Sequence, residues 1–148
     1  MSAIKHILEH KGDTVHTIGP DATVLEAVEK MAGNSVGSLL VMEGPRICGI
    51  ITERDYLRHI VLKGRTSRDT PVRKIMTGDD KLVFVSPNTA VEIAMAIMTE
   101  KRIRHLPVFE DGVLVGLISV GDLVKQVSRD QNAEIHYLRE YIAGSYPA

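Results

Sequence analysis

A chain of 148 residues that is 44% hydrophobic has enough apolar material for one packed domain, or for two small halves sharing a core. Lys and Arg total 18 against 19 Asp and Glu, and aromatics are 4% with no Trp, which argues against a dedicated nucleic-acid binder and against a stacking platform for single strands. No apolar run is long enough for a bilayer, Met1–His10 lacks a signal peptide's apolar region, and Cys48 is the lone cysteine, so a soluble cytoplasmic protein with Cys48 as a core thiol is expected.

Ile4, Ile7 and Leu8 stand at helical spacing behind Ser2, a candidate N-cap, and this opening helix ends near Gly12. Val15–Ile18 alternates as a strand does, and Pro20-Asp21-Ala22 is a turn. Thr23 then caps a helix whose apolar face is Val24, Ala27, Val28 and Met31, with Glu26 at capping-box spacing and Gly33-Asn34 as the stop. Leu39–Met42 and Ile47–Ile51 are strands joined through Glu43-Gly44-Pro45-Arg46, which reads as a hairpin. Thr52-Glu53-Arg54-Asp55 opens the next helix, with Tyr56, Leu57, Ile60 and Val61 as its expected buried side. Lys63–Thr70 is polar and reads as a connection, and Pro71 begins a short helical turn through Met76.

The second half replays this order. Leu82–Val85 is an expected strand, Thr89 starts a helix with Val91, Ala94, Met95 and Met98, and His105–Phe109 and Val113–Ile118 are strands around Glu110-Asp111-Gly112. Ser119-Val120-Gly121-Asp122 opens a helix with Leu123, Val124 and Val127 inward, and Asn132–Tyr146 is a helical tail with Ile135, Leu138, Tyr141 and Ile142 on one side. The replay is literal: Pro20, Val24, Ala27, Met31, Leu39, Val41, Gly49, Ile51 and Asp55 recur 67 positions later as Pro87, Val91, Ala94, Met98, Leu106, Val108, Gly116, Ile118 and Asp122. A gapless internal repeat points to two copies of one supersecondary unit, each about β-α-β-β-α, packed as a pseudo-two-fold pair in an α+β fold. The expected boundaries are an opening helix over 1–12, repeat 1 over 13–64, a linker over 65–79, repeat 2 over 80–131 and a tail over 132–148.

The repeated motif Gly49-Ile-Ile-Thr52-Glu-Arg-Asp55, echoed by Gly116-Leu-Ile-Ser119-Val-Gly-Asp122, sets a hydroxyl and a carboxylate about one turn apart where a strand enters a helix. Spacing alone leaves two readings open. Thr52 and Ser119 cap their helices, with the aspartates aiding the first turn; or the pairs meet a ligand, a carboxylate accepting from a vicinal diol beside an anion-favouring helix start. Lys101-Arg102-Ile103-Arg104-His105 could meet phosphates, or be a solvated helix end; Arg104 and His105 lead into a strand and are the better candidates. With its ordinary pKa near 6.5, His105 would add pH dependence. His6 and His10 at i, i+4 are weak as a metal pair, and a solvated face is the simpler reading. No catalytic triad, nucleophile elbow or phosphate loop is present in the sequence.

The tandem pattern P-x-x-x-V-x-x-A-x-x-x-M, a paired strand block and G-h-h-[ST]-x-x-D resembles the cystathionine-β-synthase (CBS) domain, from about Val15 to Val127, with Thr70–Thr77 similar to the segment that introduces a CBS copy and His105-Leu-Pro107-Val108 also typical. The resemblance implies a pair of copies, a Bateman module, whose clefts bind adenosine-containing ligands: AMP foremost, ADP, ATP, S-adenosylmethionine or NAD. It implies that Asp55 and Asp122 hold ribose hydroxyls, with Thr52 and Ser119 assisting. It implies that Thr14, Val15, Lys81 and Leu82 frame adenine, and that Arg104 and His105, ahead of Pro107, contact phosphate. Gly37 and Ser38 stand where Arg104 and His105 do, and Leu40 replaces Pro107, so Arg54 is the candidate charge in the first half. The family expectation is a non-enzymatic, homodimeric regulator acting on a target protein, without catalytic cofactor, metal or membrane; the alternative is a ligand-independent dimerisation and protein-interaction module.

Overall fold

The computed structural model describes residues 2–12 and 14–145, with side chains to Ile142. The elements run α1 (Ile4–Lys11), β1 (Thr17–Ile18), α2 (Val24–Gly33), β2 (Ser38–Glu43), β3 (Arg46–Thr52), α3 (Glu53–Tyr56), β4 (Thr77–Gly78), α4 (Val91–Lys101), β5 (His105–Glu110), β6 (Val113–Ser119) and α5 (Val120–Ser145). They form two compact units: residues 14–83, and residues from Phe84 onward together with the opening segment. The mixed α+β architecture expected from the repeat is the one observed.

In the first unit the sheet order is β1-β2-β3-β4, with β1 parallel to β2 and the other pairs antiparallel. The β2–β3 hairpin turns at Gly44, whose φ of +60° suits a two-residue loop. Its core is Val24, Ala27 and Met31 from α2, Leu39, Val41 and Ile51 from the hairpin, Ile60, and Val72 and Ile75. The last two lie in the stretch expected to be a linker. Residues 65–79 are instead part of this unit: Val24 N–H donates to Thr70 O (2.9 Å), Leu25 N–H to Ser67 O (3.0 Å) and Val72 N–H to Ala22 O (2.8 Å). A segment that buries Val72 to 0% exposure cannot serve as a free connection.

The second unit repeats the design. Its β5–β6 hairpin turns at Asp111-Gly112, both at positive φ (+52° and +77°), the requirement that Asp-Gly meets in a type I′ turn. Both hairpins shift register at the same repeat position, Val41/Met42 and Val108/Phe109. Val91, Ala94, Met98, Leu106, Val108, Ile118 and Leu123 are buried, and Ile4 and Ile7 of α1 join them at 0% and 2% exposure. Ile4 N–H donates to Thr89 O (2.9 Å), Lys5 N–H to Pro87 O (2.8 Å) and Val91 N–H to Ser2 O (3.0 Å). These match the bonds that tie Val72, Arg73 and Val24 to Ala22, Pro20 and Thr70. The segment leading into each repeat thus completes the core of the unit built on the other.

This exchange explains the repeated glycine. A Cβ on Gly49 would stand 2.2 Å from Thr77 O, main chain that cannot step aside; a Cβ on Gly116 would meet Leu8 Cδ2 at 2.6 Å, a side chain that can rotate. Both glycines exist because the lead-in segment crosses the hairpin there.

Several expected details differ. The helix opened by Thr52 is α-helical only to Tyr56 and then widens into a π turn over Leu57–Val61, in which Leu57 and Val61 are 55% and 54% exposed and Ile60 is buried. Val124, the repeat partner of Leu57, is likewise 52% exposed. The expected strand Leu82–Val85 shrinks to one parallel bridge, Val85 to Val108, because Ser86-Pro87 turns the chain away at once. Val15–Ile18 is strand only at Thr17–Ile18. Ser2 does not cap α1: its hydroxyl donates to Asp130 Oδ1 (2.7 Å), Ala3 is the N-cap, and His6 Nδ1 accepts from Ala3 N–H (3.0 Å). Helix α4 begins at Val91, as α2 does at the equivalent Val24, and Thr89 lies ahead of it with its hydroxyl accepting from Ser86 N–H (3.1 Å). The expected separate tail is the continuation of α5, with Tyr146 outside the described residues.

Candidate functional site

Both candidate motifs sit where a hairpin strand enters a helix, and the hairpin register fixes their neighbours. In the first unit Ser38 is opposite Thr52, and Glu53 N–H donates to Gly37 O (3.1 Å). In the second, His105 is opposite Ser119, Pro107 opposite Leu117, and Val120 N–H donates to Arg104 O (2.9 Å). Each motif is therefore paired with the start of the preceding strand in both units.

Thr52 and Asp55 make a reciprocal cap. Asp55 N–H donates to Thr52 Oγ1 (3.2 Å), while Thr52 N–H (3.0 Å) and its hydroxyl (3.1 Å) donate to Asp55 Oδ2. Ser119 and Asp122 repeat this: Asp122 N–H donates to Ser119 Oγ (3.1 Å) and Ser119 N–H to Asp122 Oδ2 (2.8 Å). The capping reading and the ligand reading are thus compatible, since capping uses Oδ2 and leaves each Oδ1 without a hydrogen-bond partner among the described residues.

The two carboxyls differ electrostatically. Burial pushes Asp55 above the usual carboxylate range, outweighing the Thr52 bonds and the charges of His59 and Arg58. Burial also pushes Asp122 up, but Lys11 and Ser119 outweigh it and hold this carboxyl below its usual range. Lys11 Nζ lies 2.7 Å from Asp122 Oδ2 and donates also to Leu117 O at 2.7 Å. The sequence reading missed Lys11. Aligning the lead-in Ser2-Ala3-Ile4 with Thr70-Pro71-Val72 places Lys11 opposite Asp79, a reversal of charge that marks the two motifs as non-equivalent.

His105 is half-buried, and desolvation lowers its pKa to about 4, helped by the charges of Lys11 and Arg104 against the opposing pull of Asp122. The expectation of a titration near its ordinary value is corrected: this imidazole is neutral at pH 7 and offers a hydrogen bond rather than a charge. On acidification the unfolded chain protonates first, below pH 6.5, while the folded one resists until about pH 4. The stability this supplies is complete above pH 6.5 and is lost progressively as pH falls toward 4. Urea midpoints measured from pH 7 to 4.5 will therefore fall more steeply for the native chain than for His105→Asn; parallel curves would remove His105 from the acid response.

The remaining candidates divide. Arg104 is exposed and Pro107 buried in β5; Arg54 is exposed on the first turn of α3. Thr14 and Val15 precede β1 at one edge of the four-stranded sheet, whereas Lys81 and Leu82 follow β4 at the other, so this sheet does not gather them. The open depressions of the first unit, about 440 Å³ beside Met31, Val36, Gly37 and Glu53 and about 390 Å³ beside Tyr56, Arg65 and Arg68, adjoin the motif without including Thr52 or Asp55. Among the described residues no three His, Cys, Asp or Glu side chains gather as metal ligands, and no helix is long and apolar enough to cross a membrane.

Comparison with known proteins places this geometry. The CBS domain model matches residues 6–62 and 72–129. The mitochondrial CBS domain-containing protein CBSX3 of Arabidopsis thaliana is 46% identical over 129 residues, covering 85% of this chain and 63% of the plant protein. This chain thus spans less than two thirds of that relative's length. CBS domain-containing protein YhcV of Bacillus subtilis is 34% identical over 131 residues, covering 88% of this chain and 89% of YhcV. A solved structure of a protein with CBS domains, assigned to signal transduction, from Burkholderia ambifaria superposes with a TM-score of 0.83 at 44% identity, covering 88% of this chain and 96% of that one.

Proposed function

Because this chain belongs to the CBS domain family and carries two tandem copies, we propose that it is a non-enzymatic regulatory module that binds an adenosine-containing ligand and signals by ligand-dependent shape. AMP is the first choice, with ADP, ATP or NAD as the alternatives. The observation that carries this reading is the Ser119/Asp122 pair in register with Arg104-His105. A carboxylate with an uncommitted oxygen suits a ribose diol, and the exposed side chain of Arg104, whose carbonyl accepts from Val120 N–H, suits a phosphate. The first-repeat motif has the same cap, but Gly37-Ser38 in place of Arg104-His105 and a carboxyl disfavoured as an anion, which makes it the weaker site. The lone Cys48 fits a cytoplasmic module that needs no disulfide.

The module also acts as a homodimer in this reading. Leu57 and Val124, equivalent in the repeat, are both exposed, and the distal half of α5 shows Ile135, Leu138 and Ile142 at 46–54% exposure. Apolar positions repeated on the outside of both units suit a self-complementary interface. Dimerisation without any ligand is the second reading, favoured by these same residues. Titration calorimetry with AMP, ATP and NAD on the full chain separates the two: heat saturating at one nucleotide per motif or per chain supports the ligand reading, and silence with all three, in a chain that sediments as a dimer, replaces it.

A further inference from the structure

Lys11 is held at the end of α1 by the stop at Gly12, whose φ of +88° favours glycine and whose N–H donates to Leu8 O (2.8 Å). From there its ammonium reaches Asp122 Oδ2 and Leu117 O, each at 2.7 Å. Asp122 Oδ2 already accepts Ser119 N–H, so Lys11 takes the place where a second ligand hydroxyl would bind. Its side chain is 36% exposed and that of Asp122 16%, a pair partly withdrawn from water. Arg104 and Lys11 act on His105 as positive charges and Asp122 as a negative one.

We infer that Lys11 is a specificity-determining residue of the second-repeat site, selecting phosphorylated ligands over neutral nucleosides. This rests on the ligand reading above. A diol that engages both oxygens of Asp122 must displace the ammonium from Oδ2, since Ser119 N–H and Lys11 already fill that oxygen. With a nucleoside, the displaced cation loses its carboxylate and gains no anion from the ligand, with Arg104 a further positive charge acting on the same His105. With a nucleotide, it turns to the phosphate and its charge is satisfied again. The first-repeat motif lacks this device, since Asp79 stands at the position equivalent to Lys11 and is engaged with Arg46 at 3.9 Å.

The test compares adenosine and AMP by calorimetry on the full chain, in the native sequence and in Lys11→Met, Lys11→Gln and Lys11→Arg. Both neutral variants should bind adenosine more tightly and AMP less tightly, shrinking the AMP-to-adenosine affinity ratio on the order of tenfold or more. Lys11→Arg should retain the native ratio. An unchanged ratio in both neutral variants, with binding otherwise intact, overturns the role of Lys11 and leaves the ligand reading standing. A native chain that binds neither compound at about 1 mM, a Kd worth about −4 kcal/mol, overturns both.

Discussion

A chain with Ile4 and Ile7 both changed to alanine will open the unit that contains the second repeat. These side chains are 0% and 2% exposed within it, yet they precede the first repeat in sequence. Each large-to-small change in a packed core costs about 2–5 kcal/mol, and whole domains are stable by only about 5–15 kcal/mol. The double variant therefore removes most of the margin. Hydrogen exchange resolved along the chain should show lost protection over β5 and β6. The mirror variant, Val72→Ala with Ile75→Ala, should instead expose β2 and β3, since those residues close the first-repeat core. If either double variant melts within about 1 kcal/mol of the native chain, a small fraction of the expected cost, the exchange of lead-in segments contributes little to stability.

That exchange is what local reading could not supply. Hairpins, helix faces and the repeat itself are written in spacing: Asp111-Gly112 between two apolar runs, or Val24, Ala27 and Met31 on one helix side, need no knowledge of the rest of the chain. Seven of the recurring residue pairs, from Val24/Val91 to Ile51/Ile118, are buried in both units. Whether Ile4 packs on its own repeat or the other one is a matter of chain path, and periodicity is the same in either case. The polar stretch Lys63–Thr70 suggested a linker because composition does not reveal that its carbonyls accept from Val24 and Leu25. The π turn at Leu57–Val61 was hidden for a similar reason, since an apolar stripe gives no sign that the helix will widen there.

The site was legible as far as the residue types and their repeat position. Thr52/Asp55 and Ser119/Asp122 lie where the motif placed them, and the same hydrogen bonds form in both. Gly37-Ser38 in place of Arg104-His105 already marked the two motifs as different, but the divergence of their carboxyls was not legible, because it comes from Lys11, more than a hundred positions away in sequence, and from burial that only the fold defines. His105 shows the same limit: its ordinary pKa is a property of the residue, and its value of about 4 is a property of the strand it enters.

Asp122→Ala will weaken AMP binding far more than Asp55→Ala. In this reading Asp122 accepts two hydrogen bonds from ribose, and hydrogen bonds to a charged group contribute about 1.5–3 kcal/mol each before offsets. Releasing Lys11 from its native pair returns part of that loss, so a net cost of about 2–4 kcal/mol, roughly 30- to 1,000-fold in Kd, is expected. Arg104→Ala should lower AMP affinity more than adenosine affinity, because only AMP offers an anion to the guanidinium. Asp55 is disfavoured as an anion and has no Arg-His pair in register, so its replacement should change AMP affinity little, and the double variant should lose no more than Asp122→Ala alone. Unchanged AMP affinity in Asp122→Ala, in protein whose circular dichroism matches the native chain, would remove ribose recognition from this motif. The reciprocal bonds of Ser119 and Asp122 would then be a helix cap and nothing more.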